Sequence, residues 1–257
     1  MDSRSSWKVG LYSAVAGMAV LVAIALTAMH GATPGPQADL GSQAVASPAA
    51  ESASMAVAEP SVPDYRPMER LELADPTNYG ERYTTDAYGQ ALNHEYVVVL
   101  HETVGTAQSA INLFKTPHPR DEDQASYHTI VDRDGTVIYI VPPEKRAYGA
   151  GNSVFQGRDG EETAVTNPRL AASVNNFAYH ISLATPPDGQ LNNASRHSGY
   201  TEAQYRSLAW LIAQTTIPDE RITSHEAVDR SGMRRDPRSF NWPHLMEYLH
   251  EYPGRAA

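Results

Sequence analysis

The chain has 257 residues, no cysteine and a formal net charge of −10. This length suffices for one large domain or two small ones, and the lack of cysteine excludes disulfides and lipid attachment through a thiol. The acidic charge argues against a nucleic-acid partner, because such binding needs Lys and Arg to neutralise phosphates.

The N-terminal part has the pattern of a membrane-targeting segment. Residues 1–8 contain the basic Arg4 and Lys8, and residues 9–29 carry no charge. As a helix the uncharged run would be about 31 Å long, enough to cross the hydrocarbon layer. The preceding basic residues place residues 1–8 in the cytoplasm and the rest outside it. We therefore expect a transmembrane anchor or a cleaved signal helix, and an extracytoplasmic protein of the periplasm or cell envelope.

Residues 30–63 are dominated by Ala, Pro, Ser, Gly and Gln. Such a composition buries too little apolar surface to offset the entropy of ordering, so we predict a disordered linker. Aromatic and aliphatic residues become more frequent after this segment. One folded domain is therefore predicted over residues 64–254.

Strand and helix patterns mix within that domain. Apolar runs predict strands at 96–100, 127–131, 136–141 and 177–183. Helical periodicity predicts helices at 106–115 and 201–214, and a short helix from Pro243. Asp134-Gly135 favours a hairpin, because Gly readily adopts positive φ. The prediction is an α/β fold with a mixed sheet, at least one antiparallel hairpin, and helices that cover the sheet.

Three residues form a candidate metal site. His101 follows the apolar run 96–100, and His225 precedes Asp236 by eleven residues. Two imidazoles and one carboxylate suit Zn²⁺, and three protein ligands leave a fourth position for water, as in catalytic zinc sites. Taken singly, each His could be structural and Asp236 could be a turn residue. Their joint appearance indicates a zinc-dependent hydrolase.

Sequence blocks around these residues resemble the type 2 N-acetylmuramoyl-L-alanine amidases, the zinc family that also includes peptidoglycan recognition proteins and phage lysozyme-type amidases. The blocks occur in the expected order at 97–103, 125–137, 147–151, 177–183, 200–205 and 225–242. The resemblance implies one zinc amidase domain in which His101, His225 and Asp236 hold Zn²⁺. It also implies hydrolysis of the amide between N-acetylmuramic acid and L-Ala, with peptidoglycan or muropeptides as partners.

The same resemblance implies two catalytic roles. Tyr127 matches a tyrosine that many members of the family place beside the metal. Arg234 stands two residues before the third ligand, where family enzymes often have Lys. A cation there would stabilise the oxyanion that develops on the amide carbonyl.

The chain also departs from the family pattern. Ser182 stands where some relatives have a catalytic Glu, so proton transfer is left to Tyr127, to Glu102 or to the zinc-bound hydroxide alone. Gly149 stands where the family usually has His. His180 occupies a position that is commonly small, and it either supplies the missing imidazole or is simply packed.

Two other interpretations stay open. The domain could be a peptidoglycan-binding module without catalysis, although the intact ligand set argues against this. Zinc could also be purely structural, which would require a closed four-ligand shell with His180 as the candidate fourth ligand. The residues do not distinguish polymeric wall from soluble or anhydro-muropeptide substrates.

Overall fold

The computed structural model describes residues 63–255. The predicted segments 1–8 and 9–29, and nearly all of the linker 30–63, lie outside these residues, so the anchor or signal helix stays a prediction. Among the helices between residues 63 and 255, none combines the length and the apolar character that a membrane span requires.

Strands and helices are mixed along this part of the chain. The strands are β1 (Glu69–Leu71), β2 (Tyr79–Glu81), β3 (Val97–Glu102), β4 (Thr129–Val131), β5 (Val137–Tyr139), β6 (Lys145–Ala147), β7 (Phe155–Gly157), β8 (Gly160–Glu162), β9 (Ala178–Leu183) and β10 (Ile222–Ser224). The α-helices are α1 (Ala107–Lys115), α2 (Glu202–Ala213), α3 (His225–Val228) and α4 (Trp242–Leu249). All the predicted strands and helices are thus present; most are shorter than predicted, whereas β3 runs two residues further and α4 begins one residue earlier.

Six strands form one mixed sheet in the order β1-β5-β4-β9-β3-β10. β4 and β5 pair antiparallel, while the other neighbours in this sheet pair parallel. Gly135 turns the β4–β5 hairpin with φ of 89°, a conformation that L side chains rarely adopt. The predicted mixed sheet with an antiparallel hairpin is therefore confirmed.

α2 and α4 cover one face of this sheet. Thr201 and Gln204 form a capping box at the start of α2, as their spacing predicts. The buried side chains of this layer share one apolar cluster, which includes Val98, Leu100, Ile181, Leu183, Leu208, Ile212, Leu245 and Leu249. The helices are thus held by burial of their apolar faces on β3 and β9.

The opposite face of β3 carries the candidate site. Side chains alternate along a strand, and Val98 and Leu100 face α2 and α4. Val97 and Val99 belong to a separate cluster on the other face, and His101 continues their row. All six residues of β3 are buried, so the imidazole of His101 lies inside the protein.

Candidate metal centre

The sheet register brings the two candidate histidine ligands together. β3 and β10 are parallel neighbours, with Leu100 opposite Ser224. His101 and His225 are the next residues along the two strands. Both imidazoles therefore lie at the same end of the sheet. Their ring centroids are 4.6 Å apart. Residues distant in sequence are thus placed side by side by strand pairing alone.

Asp236 reaches the same place on a loop that hydrogen bonds hold in position. The carbonyl of Asp236 accepts from the backbone N–H of Glu226, 3.0 Å away, in the turn after His225. Earlier in the loop, the carboxylate of Asp229 accepts from the backbone N–H groups of Met233 and Arg234 at 2.9 and 3.1 Å. These bonds order the segment that carries the third candidate ligand.

The three groups converge on a volume that suits one metal ion. Oδ2 of Asp236 lies 3.2 Å from Nδ1 of His101 and 3.1 Å from Nδ1 of His225. One candidate ligand atom from each residue lies within 4.8 Å of the others. Tetrahedral zinc with bonds of about 2.1 Å would hold its ligand atoms roughly 3.4 Å apart. The donor types and their spacing therefore fit Zn²⁺.

The ionisation states also favour metal binding. Burial lowers the pKa of His101 to about 4, against the opposing effect of its hydrogen bond with Asp236. Burial alone would raise the pKa of Asp236, but its hydrogen bonds with His101 and His225 hold that pKa below the usual range. At neutral pH His101 is thus neutral and Asp236 is a carboxylate, the forms that coordinate metals.

Tyr127 lies directly against the site. Its ring stacks on His101 with centroids 4.5 Å apart, and it meets Phe114 edge to face. Burial, and then the charge of Asp236, raise the pKa of Tyr127, so its phenol stays protonated at neutral pH. The positive charge of the exposed Arg234 acts in the opposite direction on this pKa.

Glu102 is engaged in a buried cluster that the sequence did not predict. Its Oε1 binds Nε of Arg238, and its Oε2 is 2.9 Å from Nε2 of His197 and 3.0 Å from the hydroxyl of Tyr200. Both carboxylate oxygens therefore already accept hydrogen bonds from other side chains. The position of Arg238, two residues after Asp236, is the sequence feature that could have predicted its part in this cluster. Nothing in the sequence singled out His197.

Ser182 and His180 lie on the same face of β9, next to the ligands. Ser182 is opposite His101 in the sheet, and its buried Oγ has no hydrogen-bond partner among residues 63–255. Nδ1 of His180 is 2.9 Å from Nε2 of His101. The group that could hold a metal in the described part of the chain has three members and excludes His180. The geometry therefore gives no support to a closed four-ligand shell.

Comparisons with known proteins identify the family of this chain. The family described as N-acetylmuramoyl-L-alanine amidase (Amidase_2) matches residues 93–239, and the chain belongs to that family. The 1,6-anhydro-N-acetylmuramyl-L-alanine amidase AmpD of Salmonella typhimurium is 32% identical over 127 residues, which cover 47% of this chain and 54% of that protein. AmpD of Citrobacter freundii is 28% identical over 123 residues, which cover 46% and 54%.

The matched region is limited in extent. The chain spans about half the length of the curated relatives it matches. Among solved structures, a crystal structure of selenomethionine AmpD is similar, with a TM-score of 0.48 and 22% identity over 71% of this chain and 94% of that chain.

Proposed function

We propose that this protein is a zinc-dependent amidase that hydrolyses the bond between the lactyl group of N-acetylmuramic acid and L-Ala in peptidoglycan or muropeptides. One observation carries the proposal. In a chain of the amidase family, His101, His225 and Asp236 converge at the carboxyl ends of two neighbouring parallel strands. The named substrate of the curated relatives, an anhydro-muramyl-L-alanine, supports the same bond as the target.

His101, His225 and Asp236 would hold the metal. Zn²⁺ bound there would polarise the amide carbonyl and lower the pKa of a bound water toward about 7. Tyr127 and Arg234 would stabilise the negative charge that develops on the carbonyl oxygen. Because the raised pKa of Tyr127 keeps its phenol protonated, the phenol can donate a hydrogen bond to the carbonyl oxygen as negative charge develops. Arg234, which is exposed, would add positive charge for the same oxygen.

The proton-transfer step has few candidates. Ser182 has no basic group, and its buried Oγ has no hydrogen-bond partner within residues 63–255. The carboxylate of Glu102 is engaged in its ion pair with Arg238. We therefore propose that Tyr127 supports the reaction as hydrogen-bond donor, while neither Ser182 nor Glu102 serves as the principal base.

We also propose that the domain works outside the cytoplasm. The support is the sequence pattern of basic residues in 1–8, the uncharged run 9–29 and the Ala-, Pro- and Ser-rich segment 30–63. A spacer of this length would let an anchored domain reach the cell wall. A fusion of residues 1–63 to a reporter that is active only outside the cytoplasm tests this point. A reporter that stays inactive and cytoplasmic would contradict it.

Purified peptidoglycan distinguishes the proposed activity from simple binding. Hydrolysis of this amide creates one new amino group on L-Ala per cleaved bond, which an amine-reactive label can identify. We expect wild-type protein to release labelled L-Ala termini and His225→Ala to release none. A protein that sediments with the wall but creates no new L-Ala amine would be a binding module.

A further inference from the structure

The buried ring of His180 occupies the space that a side chain at position 149 would need. Its side chain has no solvent exposure. A Cβ added at Gly149 would lie 2.6 Å from both Cγ and Nδ1 of the His180 ring. Only glycine therefore fits opposite this ring, and the ring cannot move towards residue 149 without a backbone clash.

Among the residues that the structure describes, the His180 ring makes one side-chain hydrogen bond, and its partner is a candidate ligand. Nδ1 of His180 lies 2.9 Å from Nε2 of His101, while Nδ1 of His101 faces Asp236. A neutral imidazole carries one proton, on one of its two nitrogens. For Nδ1 of His101 to bind a metal, the proton must sit on Nε2. The acceptor for that proton is then Nδ1 of His180.

A second histidine fixes the strand that carries His180. The backbone N–H of His180 donates to Nδ1 of His128 at 2.9 Å, so the proton of His128 is on Nε2. This Nε2 donates to the carbonyl of Lys145 at 3.1 Å. The rings of His128 and His180 are nearly parallel, with 10° between their planes. His180 is thus held both in position and in orientation.

Packing alone does not account for an imidazole at this position. When Nδ1 of His180 accepts, Nε2 carries the proton, and this buried Nε2 has no hydrogen-bond partner in the described part of the chain. An apolar side chain of similar volume would leave no unpaired donor. The polar ring is therefore costly for packing but supplies the acceptor that His101 needs.

We propose that His180 is a positioning residue that fixes His101 in the tautomer with a free Nδ1 and so strengthens metal binding by the triad. The inference rests on the proposed function, because it assumes that His101, His225 and Asp236 hold Zn²⁺. Partners of metal-bound histidines typically change metal affinity by about 10- to 100-fold. An effect of this size is expected for loss of the His180 acceptor.

Two substitutions separate the acceptor from the packing. His180→Asn keeps an oxygen where Nδ1 stands, whereas His180→Leu fills the space with apolar atoms. We expect competition with a chelator to show zinc binding weakened about 10- to 100-fold in His180→Leu and only a few-fold in His180→Asn. Equal zinc affinity in His180→Leu and the wild type would overturn the inference.

Nitrogen NMR of the zinc-loaded wild type gives a readout that requires no variant to fold. We expect the His101 ring to carry a slowly exchanging proton on Nε2 and the metal on Nδ1. A proton on Nδ1, with zinc on Nε2, would overturn the inference. Zinc-loaded wild type that shows the expected tautomer but cleaves no muropeptide would overturn the proposed function alone, and wild type that binds no zinc would overturn both.

Discussion

Glu102 and Arg238 form a buried ion pair that joins the strand of the first candidate ligand to the loop of the third. Their side chains are 2% and 7% exposed. Arg238 also donates to the carbonyls of Gly189 and Ala194 at 2.6 and 2.8 Å. Because Glu102 follows His101 and Arg238 is two residues beyond Asp236, the pair fixes the distance between two ligand-bearing segments.

Removal of the Glu102 charge should destabilise the fold. Glu102→Gln leaves the guanidinium of Arg238 buried without its counter-charge, and breaking a buried pair typically costs about 3–5 kcal/mol. The matched control is Glu161→Gln, which removes an exposed pair with Arg230 and should cost about 0–1 kcal/mol. Urea denaturation measures the free energy of unfolding of both variants. Similar losses for the two variants would show that the buried pair has no special role in stability.

Tyr127 should matter more for turnover than its neighbours. Tyr127→Phe keeps the ring that stacks on His101 but removes the hydroxyl, and we expect kcat to fall about ten- to a thousandfold. Ser182→Ala and Glu102→Gln, measured on folded, zinc-loaded protein, should lower kcat less. If Glu102→Gln lowers kcat most while zinc stays bound, the catalytic assignment to Tyr127 is wrong.

Two neighbouring glycines should respond differently to alanine. A Cβ at Gly149 would overlap the ring of His180, whereas a Cβ at Gly151 meets nothing within 4 Å. We expect Gly149→Ala to lower the free energy of unfolding by about 1–3 kcal/mol, the usual cost of overpacking, and Gly151→Ala to change it little. In a His180→Ala background, Gly149→Ala should cost little, because the ring that its Cβ would overlap is gone. Equal stability of the two alanine variants would contradict this packing.

The buried His128 should make stability depend on pH. Burial, and then the charge of Arg82, lower its pKa to about 3. Between pH 6.5 and 3 the unfolded chain binds a proton that the folded state does not, so stability falls as pH falls, by up to about 1.4 kcal/mol per pH unit from this group. In zinc-free protein, the loss from pH 7 to pH 5 should be smaller in His128→Asn than in the wild type. Parallel pH profiles would contradict this prediction.

Long periodic segments were predictable, whereas the pairing between short ones was not. The helices at 106–115 and 201–214 carry capping residues and apolar faces, so local pattern sufficed. β10 has only three residues, too few for a periodicity, and its pairing with β3 depends on the tertiary fold. That register places His225 beside His101. Before the structure, their proximity could be predicted only from the family resemblance and not from the local sequence.

The surroundings of the ligands were less predictable still. Glu102 is next to His101 and was a reasonable candidate for proton transfer, but its partners His197 and Arg238 lie far along the chain. The sequence showed Gly149 in place of the family's usual His, and it offered His180 either as the replacement imidazole or as a packed residue. That they compensate each other in one volume is a property of packing, which only the structure describes.

Zinc titration of chelated protein against a defined muropeptide, with mass spectrometry of the products, tests the central claim most directly. We expect no cleavage without metal, and activity that rises with added Zn²⁺ and saturates at about one equivalent, in line with one three-ligand site. The products should be the muramic acid sugar and the intact stem peptide with a free L-Ala amine. Full activity in chelated protein, or products cut at any other bond, would contradict the account.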